Sequence, residues 1–170
     1  MDNTTDNSSA DGKSVALPGR RLEAVHCLLS PLHEETMLLP NAAVAEVISY
    51  AEPETIPDAP DWLLGWLTWR DRKVPLISFE VASGRTVPDD LDGNRIAVLN
   101  TLNSNPRVPY IAVLIQNLPK LHLIQPDSLS ARDDAKPRQS VVGQFIADGE
   151  PVLVPDVDDL EMRVERLRSQ

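Results

Sequence analysis

Several things are scarce in this chain, and each scarcity excludes a class of protein. Cys27 is the one cysteine in 170 residues. No internal disulfide can form, so the framework of a small secreted scaffold is absent and a reducing compartment is the simple expectation. Glycine occurs seven times, and the glycines never gather into a phosphate-cradling loop. Aromatic residues make up 4 % of the chain. No apolar run approaches the ~20 residues a membrane helix needs. The N-terminus shows no basic stretch leading into an apolar one, so no signal peptide is read there. Cations are outnumbered, with 16 Lys and Arg against 26 Asp and Glu, giving a net charge of −10 and a pI near 4.7. That balance argues against a nucleic-acid binder, which needs a basic face to displace counterions. It argues equally against docking on or inserting into an anionic membrane. A soluble cytoplasmic protein is the expectation, with charge that favours solubility and a partner carrying a basic patch.

What is present is an ordinary globular composition, 42 % apolar and 25 % charged, with an excess of proline at 15 residues. Residues 1–19 are rich in Asp, Asn, Thr and Ser and are expected to be a disordered tail. From Arg20 the chain alternates. "RLEAVHCLLS" reads as a strand, and "ETMLLP" can pair back on it. "NAAVAEVIS" opens on Asn41, a good N-cap, and is open between helical turns and strand. "AEPETIPDAP" is a connector that its three prolines keep out of helix and central strand. "APDWLLG" offers one helical turn with Gly65 as its stop. "WLTW" and "VPLISFEV" flank the charged "RDRK" as a β-hairpin. Residues 83–94 read as a polar loop, and "RIAVLNTL", "YIAVLIQNL" and "LPKLHLIQ" as strands. "PDSLSARDDAKPRQ" reads as a long polar loop. "SVVGQFIADGEPVLVPD" is the clearest hairpin, turning at Asp148-Gly149. "DVDDLEMRVERLRSQ" closes the chain as a helix, capped by Asp156 or Asp158, with its acids ahead of its bases. Many short strands separated by turn residues point to a mainly β protein built as a barrel or paired barrels. No internal repeat stands out.

No catalytic constellation accompanies this pattern. There is no Gly-x-Ser-x-Gly turn for a nucleophile and no Asp-Thr/Ser-Gly pair for a carboxylate dyad. His26, His33 and His122 lack the spacing of metal ligands, and His26 and Cys27 fall on opposite faces of one strand. The acids around Asp156–Glu161 lack the central glycine and twelve-residue pattern of a calcium loop. No catalytic residue, metal site or cofactor is assigned, and the chain is not read as an enzyme.

The most specific stretch is "VAEVISYAEPETIPDAPDWLLGWLTWRDRKVPLISF", which holds all three tryptophans. It resembles the CheW-like family, the adaptor modules of bacterial chemosensory arrays. The features that carry the resemblance are Glu46 in "VAEVI", Pro57 and Pro60 in "IPDAP", Gly65, Arg70 in an Asn-Leu-Arg-Gly-like hairpin, and Pro75 in "VPLISF". The later strands and the closing helix follow in the family's order, so the resemblance spans about residues 20–165, with 166–170 as a short tail. The pattern departs at Thr68-Trp69-Arg70-Asp71, where Asp71 stands for the turn glycine, and at Gln116 and Ser78, where the family often has Asp.

The resemblance implies two interlocked five-stranded SH3-like barrels with a few short helices and a C-terminal helix. It implies a non-enzymatic adaptor that couples the cytoplasmic tip of a chemoreceptor to the regulatory domain of a CheA-type histidine kinase, in arrays at the membrane. Within the family, an accessory adaptor of the ChpC kind, serving type IV pilus chemosensing and twitching motility, is the expectation. A CheW-like scaffolding module with other partners is the alternative. Carried over residue by residue, Glu46 and Arg70 are expected to pair, a planar guanidinium matching a carboxylate. Val44, Leu64, Gly65 and Trp66 are expected to line a groove for a helical hairpin. Trp66 and Trp69 lie an odd number of residues apart and should face opposite sides of their strand.

Overall fold

The computed structural model describes residues 23–86, 94–103 and 105–169. The tail expected over residues 1–19 lies outside the described residues. Eleven strands are found among the described residues, and they form two sheets. The first sheet takes β1 (Val25–Pro31), β2 (Thr36–Pro40), β8 (Lys120–Ile124), β9 (Leu129–Ala131), β10 (Val141–Ala147) and β11 (Glu150–Pro155), in the order β8-β1-β2-β11-β10-β9. The second takes β3 (Val44–Ser49), β4 (Leu63–Trp69), β5 (Arg72–Ile77), β6 (Arg95–Asn100) and β7 (Tyr110–Ile115), in the order β3-β6-β7-β5-β4. Neighbours are antiparallel except β2 with β11 and β5 with β7. Two helices, α1 (Phe79–Ala82) and α2 (Val157–Arg168), complete the described part.

The mainly β reading with short helices and a C-terminal helix therefore holds. The two sheets have six and five strands, and neither is closed by hydrogen bonds between its edge strands. In β6 and β7 almost every residue is buried, because both faces of these central strands meet apolar neighbours. One face, with Leu99, Ile111, Val113 and Ile115, joins a core shared with Met37 and Leu39 of the first sheet and Leu160 and Val164 of α2. The other face, with Ile96, Val98, Ala112 and Leu114, packs on Leu67, Trp69 and Val74 inside the curl of the second sheet. The first sheet encloses a smaller cluster of its own, around Cys27, Leu38, Ile124 and Val152.

One local reading left open is decided, and three others differ. Asn41–Ala43 forms one 3-10 turn and the chain then enters β3, so the Val-Ile end of that segment is strand. Gly65 does not stop a helix. It lies inside β4 at a bulge, with φ +146°, and a Cβ there would stand 2.2 Å from the Glu54 carbonyl oxygen. The proline-rich connector crosses β4 at that point through Glu54 N–H to Trp66 O (2.9 Å) and Trp66 N–H to Glu54 O (2.8 Å). The strand expected through Val81 ends at Ile77, because Ser78 caps α1 with its hydroxyl. The long polar loop after Gln125 contains β9. The C-terminal helix is capped by Asp156, which accepts from Asp159 N–H, and runs on to Arg168.

Candidate functional site

The tip of the β4–β5 hairpin carries the candidate site. Trp69 and Arg72 form the last pair of the ladder, so Arg70 and Asp71 are a two-residue turn. Both adopt positive φ, 46° and 60°, as the turn that matches strand twist requires. Asp71 thus occupies a left-handed position where a glycine would sit without strain, and short polar side chains tolerate it best after glycine.

Glu46 approaches from β3. The second sheet has β3 and β4 at its opposite edges, with no ladder between them. The sheet curls until side chains bridge the gap. Trp69 Nε1–H donates to Glu46 Oε2 at 2.8 Å, and Arg70 Nη2 meets the same oxygen at 3.0 Å. The Arg70 guanidinium carbon also stands 4.7 Å from the Trp69 ring centroid. Tyr110 supports that ring edge-on at 4.9 Å. The expected Glu46–Arg70 pair is therefore present, and Trp69 lies between its members as a shared support.

The energies of the three contacts differ. An exposed ion pair contributes about 0–1 kcal/mol. Arg70 and Glu46 side chains are 67 % and 39 % exposed, so their pair belongs in that class. The indole bond is stronger: Trp69 is buried, and a hydrogen bond to a charged group is worth about 1.5–3 kcal/mol. Trp69 holds the carboxylate, and the carboxylate in turn displays the guanidinium. Period-two alternation had placed Trp69 on the face opposite Trp66. No sequence signal tied it to Glu46, because the contact spans two edges of a curled sheet.

The remaining expected residues do not form one floor. Val44, two positions before Glu46, packs its half-buried side chain on the shared core. Leu64, in the bulge, packs against the cluster inside the second sheet. Gly65 is buried beneath the connector, where its lack of a side chain admits Glu54. Trp66 is half-buried on the outer face, with the Arg168 guanidinium carbon 4.8 Å from its ring centroid. Trp62 is buried against the shared core, under Arg163 at 4.4 Å.

Elsewhere the ionisable groups serve the packing. Burial pushes the Cys27 thiol up, as expected of an inert core cysteine. Glu35 is drawn up by burial, but Arg138 (2.6 Å) and Arg85 (3.1 Å) outweigh this and hold its carboxyl below the ordinary value. Among the described residues no three His, Cys, Asp or Glu side chains gather closely enough to hold a metal ion. No described helix is long and apolar enough to cross a membrane.

Comparison with known proteins places this geometry. Residues 26–164 match the CheW-like domain. No curated protein matches the chain. Among solved structures, the scaffolding protein TtCheW from Thermoanaerobacter tengcongensis superposes with a TM-score of 0.66. It is 17 % identical, and the alignment covers 78 % of this chain and 88 % of that one, a likeness of fold. With the family's domain matched over most of the chain, the chain belongs to the CheW-like family.

Proposed function

We propose that this protein is a non-enzymatic adaptor that couples a chemoreceptor to a CheA-type histidine kinase. One observation carries the reading: Arg70 is mostly exposed yet fixed, between the Glu46 carboxylate and the face of the buried Trp69 ring. A pre-positioned guanidinium at a hairpin tip binds with little loss of side-chain freedom. On this reading the two sheets are the walls of two interlocked SH3-like barrels, with the Glu46–Trp69 contact drawing the second together where no ladder does. On this reading Arg70 and Glu46 contact the partner, with Val44, Leu64 and Trp66 setting the hairpin's position and Gly65 acting through the backbone approach it permits. The kinase's regulatory domain and the receptor's cytoplasmic tip are the partners, met in the cytoplasm at a membrane array. Service to a type IV pilus system, in the manner of ChpC, is the narrower form of the proposal.

The test is calorimetric binding of the purified protein to a CheA-type regulatory domain and to a receptor-tip fragment. Arg70→Ala should weaken one or both at least tenfold while the far-UV circular dichroism spectrum stays unchanged. Unaltered affinity for both would overturn the role of Arg70. Binding to neither by the unsubstituted protein would favour a scaffold with other partners.

A further inference from the structure

Two clefts of nearly equal size lie on this molecule, about 230 Å³ and 220 Å³. In the first, charges cancel: Arg85 pairs with Glu34 and Glu35, and Arg132 with Asp134. The second is lined by Arg72, Lys73, Arg107 and Arg168 and by no carboxylate. Lys73 is paired with Glu54. Arg72, Arg107 and Arg168 have no carboxylate partner among the described residues. Unpaired guanidinium groups crowding one cleft are unexpected in a chain of net charge −10. Like charges held together without a counter-charge repel, and an anionic partner relieves that repulsion.

The backbone shows why the cleft exists. β5 pairs with β4 along its whole length but with β7 only at Leu76 and Ile77. Pro75 has no N–H to continue the parallel ladder, so the two strands fork below it. The fork's other wall is the segment Pro106–Tyr110. Trp69 and Arg72 close the hairpin as its hydrogen-bonded pair, so the main-chain N–H and C=O of Lys73 turn away from β4, toward the fork. Arg168, at the end of α2, donates to the Arg107 carbonyl and stacks on Trp66. It thereby joins the fork to an adjoining, more apolar cleft of about 300 Å³ lined by Leu63, Trp66, Val164 and Leu167.

We propose that this fork is a docking site for an extended acidic segment of a partner protein, with carboxylates at Arg72, Arg107 and Arg168 and an apolar residue beside Trp66. An extended segment uses the free main-chain edge at Lys73 as well as the cations. A nucleic acid fits less well. The few cations here sit on a molecule whose overall charge repels a long polyanion. A free phosphate would leave the apolar wall unused. The fork's cations are distinct from the Glu46–Arg70 pair, though Tyr110 borders both, and its test uses neither the kinase nor the receptor.

The probe is a fluorescein-labelled peptide of glutamates around one leucine, followed by fluorescence anisotropy and by amide chemical shifts of the full-length protein. The peptide should bind in a salt-sensitive manner, with shifts concentrated at the amides of Arg72, Lys73, Val74, Arg107, Val108 and Tyr110. Arg72→Gln with Arg107→Gln should weaken it at least tenfold, and replacing the peptide's glutamates by glutamine should do the same. Lys120→Gln with Lys136→Gln removes the same charge from exposed sites elsewhere and should leave affinity within twofold. The proposal is overturned by no binding, by equal loss in both double variants, or by shifts centred outside the fork. It is also overturned if a single-stranded oligonucleotide of equal charge binds more tightly than the peptide.

Discussion

The hairpins β4–β5 and β10–β11 follow one plan. Each first strand carries a glycine at a bulge, Gly65 or Gly143. In each, four residues separate that glycine from a two-residue turn of positive φ, Arg70-Asp71 or Asp148-Gly149. Each second strand then joins another strand in parallel, β5 with β7 and β11 with β2. The first turn residue even reaches an edge strand of its sheet in both cases: Arg70 meets Glu46 on β3, and Asp148 meets His122 on β8. Most side chains differ, and an acid, Asp148, stands where the first hairpin has the cation Arg70. The likeness lies in backbone geometry, so chemistry can diverge at equivalent positions while both sheets curl alike.

The bulge glycines should separate the two hairpins most strongly. At Gly65 a Cβ would collide with backbone, 2.2 Å from Glu54 O, at a φ that side chains avoid. Backbone there cannot yield without breaking the connector's two hydrogen bonds to Trp66. Gly65→Ala should lower stability by about 3 kcal/mol or more in urea unfolding. At Gly143 the Cβ would meet only the outer atoms of the Phe145 ring, at 2.7 Å, and φ is ordinary. Gly143→Ala should cost about 1 kcal/mol, since the half-buried ring can shift. Equal losses would show that the two bulges do the same mechanical work.

The cross-sheet contacts come next. Glu46→Ala removes the acceptor of a buried indole N–H and should lower stability by about 1–3 kcal/mol. His122→Ala breaks a contact between two partly exposed side chains and should cost less than about 1 kcal/mol. Glu46→Gln divides the roles further. Its amide oxygen can still accept from Trp69, so most stability should return while the charge facing Arg70 does not.

These contrasts mark what could be read from the sequence. The alternation of "VVGQFIADGEPVLVP" and its Asp-Gly pair gave away β10–β11, because the turn chemistry is local. Glu46 and Arg70 were found through the family's pattern, and their pairing followed from complementary shape and charge. The support from Trp69 was not legible, since it depends on how far a sheet curls. Gly65 looked like a helix stop because nothing in the sequence announces that Glu54 crosses over it. The likeness of the hairpins was hidden because, beyond the bulge glycine, few residue types are shared at equivalent positions.

Two partly buried carboxylates, Glu80 and Glu35, have pKa values shifted in opposite directions. Glu80, buried on α1, has its pKa raised mainly by desolvation, against the pull of the His33 N–H that it accepts. Its charge therefore detracts from stability above the ordinary glutamate range, and the penalty vanishes below it. Glu35 is held low by Arg138 and Arg85, so its contribution is full above that range and is lost as pH falls through its lowered value. Glu80→Gln should raise the urea midpoint at pH 7, and the gain should shrink toward pH 4. A gain that persisted unchanged at pH 4 would exclude burial of charge as its cause.

The smallest effect concerns the turns themselves. Asp148-Gly149 places glycine at φ 85°, where open space surrounds the missing side chain. Arg70-Asp71 places two side-chain-bearing residues in left-handed backbone. Asp71→Gly relieves that strain but frees the unfolded chain, and the net gain should be about 0.5 kcal/mol. Gly149→Asp should lose a similar amount, with strain as its source because no atom lies within 4 Å of the new Cβ. Opposite signs in thermal unfolding would show that the first hairpin carries a strain that the second lacks. Arg70 leaves the backbone before Asp71 and is fixed by Glu46 and Trp69, so Asp71→Gly should not alter partner affinity. If affinity fell as stability rose, the stiffness of residue 71 would itself be part of how the guanidinium is aimed.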